Sequence, residues 1–214
     1  MPKPSELFVG ILDFFAVLLP GAILTGIIAP NLAPLIFGPL VPMPTSELGV
    51  WSVFLATSYF LGHFTFFLGS YIDPVYNRIR KWRNPYNNTS AYHSATLVRN
   101  EILQAHELQA LNTFQWSRSV LLTTCPIAAD DVHRLEADSK FFRSILVVCL
   151  VAAAIFALKE KYSEAALAVI LIFPCFARYY ERRLKSTTQA YIHVVTLRRL
   201  GKIAPPTHSE RGDA

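Results

Sequence analysis

The stretch GVWSVFLATSYFLGHFTFFLGSY, residues 49–71, decides what kind of protein this is. It contains no Asp, Glu, Lys or Arg, and IDPVYNRIRKWRNPYNN, residues 72–88, follows it directly. About 20 apolar residues in a helix cross the hydrocarbon core of a bilayer, and this run is long enough. Basic and aromatic residues placed directly after such a run anchor it at the headgroups. Arg78, Arg80, Lys81, Trp82 and Arg83 are therefore expected to be lipid-headgroup anchors, each basic group gaining about 1 kcal/mol from anionic lipid.

Three further apolar runs lie outward from this one, at residues 7–29, 141–158 and 165–180. The composition agrees with a membrane protein. Hydrophobic residues make up 52% of the 214 and charged residues only 16%, against about 25% charged in an ordinary soluble domain. The run at 7–29 is too long for the core of a cleavable signal and reads as a retained anchor.

Charge orders the four runs. The link between the first two has no Lys or Arg, and Lys159 and Lys161 in the link between the last two are offset by Glu160 and Glu164. The remaining basic residues fall at the N-terminus, in the central stretch 72–143 and in the C-terminal part. The positive-inside rule then puts both termini and the centre in the cytoplasm. The expected fold is all-α, a four-helix transmembrane bundle with cytoplasmic helical extensions. Its parts are a transmembrane hairpin (1–72, spans 7–29 and 49–71), a cytoplasmic helical segment (73–140), a second hairpin (141–180), and a basic helix and tail (181–214). A compact chain without eukaryotic sorting signals points to a prokaryotic inner membrane.

Within the centre, apolar residues recur at helical steps over 90–122 and predict one helix. Pro126 is expected to break the pattern. A second helix is expected from Asp130 into the third span, and the fourth span is expected to continue to about residue 200. The three cysteines, Cys125, Cys149 and Cys175, form no secreted disulfide framework.

Several residues are candidates for function. Asp13 lies inside the first run and His63 inside the second. A carboxylate inside a span is costly and by default a functional or pairing site. Depth matching from the cytoplasmic ends lets Asp13 and His63 meet as an intramembrane polar pair. Pro20, Gly21 and Pro174 are expected helix kinks. Ala22 with Gly26, and Ser58 with Gly62, are small-xxx-small pairs suited to close helix packing.

The cluster ADDVHRLEADSKFFR, residues 129–143, holds His133, Arg134, Glu136 and Asp138. Its spacing does not suit a metal. The i,i+4 pairs Arg134–Asp138 and Glu136–Lys140 account for most of its charge. We read it as a partner-binding or sensing surface. No metal and no cofactor are expected.

RNEILQAH, residues 99–106, resembles the loose R-N-x-H signature of the HEPN ribonucleases, all-α proteins of prokaryotic defence. The resemblance covers eight residues. It implies His106 as general acid/base and Arg99 as the group that stabilises phosphate. A solvated helix face is the competing explanation of the same residues. There is no Gly-rich phosphate loop, nucleophile elbow or paired-cysteine motif, so catalysis is not the favoured expectation.

Three functions fit. The first is an oligomeric membrane effector or channel-like protein regulated by its cytoplasmic helices. In topology it resembles the membrane effectors of bacterial anti-phage systems. The second is a scaffold or accessory subunit of a membrane complex, and the third a membrane-tethered HEPN-like ribonuclease. The expected partners are the lipid bilayer, further copies of the chain, and a cytoplasmic protein or small ligand. Nucleic acid is disfavoured, because the basic–aromatic cluster directly follows a span.

Overall fold

The computed structural model describes residues 14, 16–30, 46–83, 89–103 and 111–203. Among the described residues the chain is helical, with no strand. Helix α1 covers Ala16–Pro30. Then come α2 (Glu47–Gly69), a 3₁₀ turn (Ser70–Ile72), α3 (Asp73–Arg83), α4 (Thr89–Ile102), α5 (Thr113–Thr124), α6 (Pro126–Leu158) and α7 (Tyr162–Arg199). Three helical rods are long and apolar enough to cross a membrane: Glu47–Trp82, Pro126–Leu158 and Tyr162–Arg199. The first runs from α2 through the 3₁₀ turn into α3.

The chain divides into two compact units. The first comprises Met1–Tyr76 and Ala137–Arg182. Its α1 and α2 touch at the backbone. A Cβ on Gly21 would stand 1.8 Å from the Ser58 carbonyl oxygen, and one on Gly62 would stand 2.2 Å from that of Val17. Such an approach is open only to small residues, and in lipid it replaces the hydrophobic drive that water supplies elsewhere. Thr25 Oγ1 donates to Gly21 O at 2.8 Å, and Ser58 Oγ donates to Thr25 Oγ1 at 3.2 Å, bridging the two helices. Ser58 and Gly62 thus pack as the sequence suggests. On α1, however, the seam is Val17, Gly21 and Thr25, whereas Gly26 is exposed with nothing near it.

Also in this unit, α6 and α7 form an antiparallel hairpin. Asp138 pairs with Arg182 at 3.6 Å, and Cys149 of α6 lies beside Cys175 of α7. The turn between them closes on Glu160 with φ 58°, and Lys161 N donates back to Phe156 O at 2.9 Å. This is a left-handed cap that glycine usually fills.

The second unit comprises Asn77–Glu136 and Arg183–Ala214. Trp116, Leu121, Ala129, Val132, Ala190, Val194 and Leu197 form its buried apolar core. Here the sequence expectation needs correction. The single helix over 90–122 is two helices, because Asn112 is extended (φ −69°, ψ 162°) and caps α5 with a reciprocal Asn112–Gln115 box. Such a box starts a new helix by satisfying donors at its N-terminus. The pattern does stop at Pro126, since α5 ends at Thr124 and Cys125 is non-helical, but α6 begins on Pro126 itself, four residues before the expected start near Asp130. Proline suits a first helical position, where its missing N–H has no partner to lose. Pro174 lies within α7, on its exposed side.

Candidate functional site

Among the described residues of the first unit, a tightly bonded polar group is centred on Asp73. Arg143 Nη1 donates to both carboxylate oxygens of Asp73, each at 3.1 Å, and Tyr179 OH donates to Oδ1 at 2.6 Å. The Arg143 side chain is 8% exposed and that of Asp73 26%. Three rods contribute one residue each: Asp73 from the Glu47–Trp82 rod, Arg143 from α6 and Tyr179 from α7.

Local sequence explains how they meet. The 3₁₀ turn, in which Ser70 Oγ donates to Phe67 O at 2.7 Å, winds the chain tighter just before Asp73. Gly69 leaves room for the arginine, since a Cβ there would stand 3.1 Å from Arg143 Cγ and Nε. The guanidinium also lies 4.9 Å from the centroid of Phe66, a cation–π distance. Tyr76, 1% exposed, packs its ring on Tyr179 and Tyr180 beside the ion pair. The result is a desolvated, hydrogen-bonded ion pair that fixes three rods at one level. Removing one partner of such a pair strands the other charge, which costs far more than the pair itself contributes.

Sequence reasoning missed this group, although its signal was present. The third apolar run was drawn from residue 141, with Arg143 inside it, and Asp73 stands just past the second run. An arginine within an apolar run demands a carboxylate near the same depth.

The expected site residues are placed as follows. Asp13 lies outside the described residues. His63 is exposed on α2, its ring edge-on to Tyr59 at 4.6 Å. Pro20 and Gly21 are buried at the α1–α2 crossing. Arg78, Lys81 and Trp82 are exposed on α3, and Arg80 is half-buried. Of Arg83 only its place at the end of α3 is described.

The His133 cluster is divided. Arg118 Nη2 from α5 reaches His133 Nε2 at 3.1 Å and Glu136 Oε2 at 3.6 Å, both in the second unit. Asp138 belongs with Arg182 in the first, and Arg134 is exposed. The ion pairs thus link helices. Among the described residues no group of three His, Cys, Asp or Glu could hold a metal ion.

Arg99 is occupied structurally. It donates to Leu111 O at 3.1 Å, Thr113 Oγ1 at 3.2 Å and Asn100 Oδ1 at 3.1 Å, tying α4 to the start of α5. His106 lies outside the described residues, and α4 ends at Ile102, before it. No known protein family, curated protein or solved structure matches the chain. The functional argument therefore rests on the residues themselves.

Proposed function

We propose that this chain is a four-span inner-membrane protein with both termini cytoplasmic, acting as an oligomeric effector or channel-like protein. Its cytoplasmic helices control how the spans pack. One observation carries the reading: α6 and α7 each join an apolar half to an ion-paired polar half in an unbroken helix. At 1.5 Å per residue, their 33 and 38 residues reach ~50 and ~57 Å, well beyond a ~30 Å hydrocarbon core. A partner or ligand that moves the polar half moves the span, because a continuous helix transmits displacement.

The Asp73–Arg143–Tyr179 group supports this as a two-state element. It is held by directional bonds that either hold or break, and bistable contacts convert small shifts into discrete rearrangements. Few spans per chain cannot enclose a conducting path, so several copies are required. The same reading assigns the chain to bacterial anti-phage defence.

Expression with the neighbouring genes, with membrane potential followed on induction and on phage challenge, tests the proposal. Depolarisation that is lost or made constitutive in Arg143→Gln supports it. An unchanged potential under every trigger sinks it.

A further inference from the structure

The Glu47–Trp82 rod has two faces of opposite character. Ser58, Gly62, Thr65, Gly69 and Tyr76 are buried along one side, at steps of three, four and seven residues. Phe60, Phe64, Phe67, Tyr71 and Val75 are exposed along another, at steps of three and four residues. Side chains so spaced lie on one helix face. Arg78, Lys81 and Trp82 are exposed farther along the same helix, with Lys81 three residues and Trp82 four residues from Arg78. Trp82 is 84% exposed. What the chain exposes is apolar and aromatic up to Val75 and basic and aromatic from Arg78 to Trp82.

We propose that Arg78, Lys81 and Trp82 form a binding surface for the phosphate headgroups of anionic lipids. This rests on the reading of the Glu47–Trp82 rod as a span, which carbonate extraction tests separately. Depth supports the assignment. Asp73, the first charge after the apolar run, marks the membrane edge. Arg78 follows it by five residues, ~7.5 Å along the helix. Long basic side chains reach back toward the interface. Lys81 stands ~12 Å past Asp73 by the same rise and remains close to a Debye length of the headgroups. An exposed indole at this level suits the boundary, where one edge is apolar and the other wet. Lipid is favoured over nucleic acid because the basic residues follow the exposed aromatic stripe within a few residues of the chain.

The test is native mass spectrometry of the delipidated full-length protein in detergent, offered equal amounts of phosphatidylglycerol and phosphatidylcholine. Two basic residues at about fivefold each give a phosphatidylglycerol preference of about 25-fold at low salt. Arg78→Gln/Lys81→Gln should reduce the preference to a few-fold, and Arg78→Lys/Lys81→Arg should keep it. Equal retention of the two lipids by the unaltered protein, or a preference that survives the double Gln variant, overturns the proposal. So does RNA binding, measured on the protein in phosphatidylcholine nanodiscs, that the double Gln variant abolishes. If carbonate extracts the chain, the span reading fails. If the chain resists carbonate and shows no lipid preference, only the headgroup proposal fails.

Discussion

Gly62 packs against the backbone of Val17 so closely that a Cβ at position 62 would stand 2.2 Å from the Val17 carbonyl oxygen. Gly21 makes the reciprocal approach, to Ser58. In both contacts the nearest atom belongs to backbone, which cannot step aside. Gly62→Ala and Gly21→Ala should therefore push α1 and α2 apart, breaking the Ser58–Thr25 hydrogen bond. We expect each to cost about 1–3 kcal/mol, the range for overpacking a fitted interior. Gly26→Ala, which meets open space, should be neutral within about 0.5 kcal/mol. Reversible unfolding in mixed micelles measures all three. Equal effects at positions 26 and 62 would falsify the crossing.

The Asp73–Arg143 ion pair predicts a distinctive double-mutant cycle. Arg143→Met leaves the Asp73 carboxylate beside Tyr179 without its cation, at a cost of about 1–3 kcal/mol, below that of a fully buried pair because Asp73 keeps contact with solvent. Asp73→Asn strands the guanidinium but keeps an oxygen that accepts from Tyr179 OH, so its cost should be smaller. The double variant should fall well short of the sum of the two, by at least 1 kcal/mol. Additive losses would mean that the two charges do not interact. Phe66→Leu should weaken the site by about 0.5–2 kcal/mol through the lost cation–π contact.

Two left-handed caps differ in residue. α7 ends on Gly201 at φ 69°, with Lys202 N donating to Leu197 O at 3.0 Å. The turn after α6 uses Glu160 at φ 58°. Gly201→Ala should destabilise by about 1 kcal/mol, since a side chain is strained there. Glu160→Gly should relieve similar strain, partly offset by the freer unfolded chain. Thermal unfolding should thus shift down for the first and up, by less, for the second.

The nearness of Cys149 to Cys175 makes the α6–α7 register testable by chemistry. Copper-phenanthroline, as oxidant, should join the two thiols within one chain. The product should migrate faster on a non-reducing gel and revert with reductant, and either Cys→Ser variant should abolish it. Cross-links forming only between chains would show that the hairpin register is wrong.

Much of the architecture was legible because it depends on local pattern alone. Apolar length marks the three rods, and continuous periodicity carries α6 to Leu158 and α7 to Arg199. The errors were local conflicts. The 90–122 pattern ran through Asn112 because hydrophobic periodicity does not register a capping box, whose donors are satisfied by side chains. Pro126 ends the preceding pattern as expected, but the next helix starts on it and not at Asp130, because proline suits a first helical position. For the candidate site, the legible clue was Arg143 within an apolar run, and its partner could not be named from spacing.

The sequence by itself determined the helical class, the apolar segments and the basic collar after residue 71. These follow from the chemistry of neighbouring residues along one chain. Only the tertiary structure decided that Val17, Gly21 and Thr25 meet Ser58 and Gly62, that Arg118 is shared by His133 and Glu136, and that Arg143 and Tyr179 converge on Asp73. Those pairings depend on helix rotation and register between rods distant in sequence. Close packing and the need to satisfy a buried charge set that rotation and register, and no local periodicity encodes either.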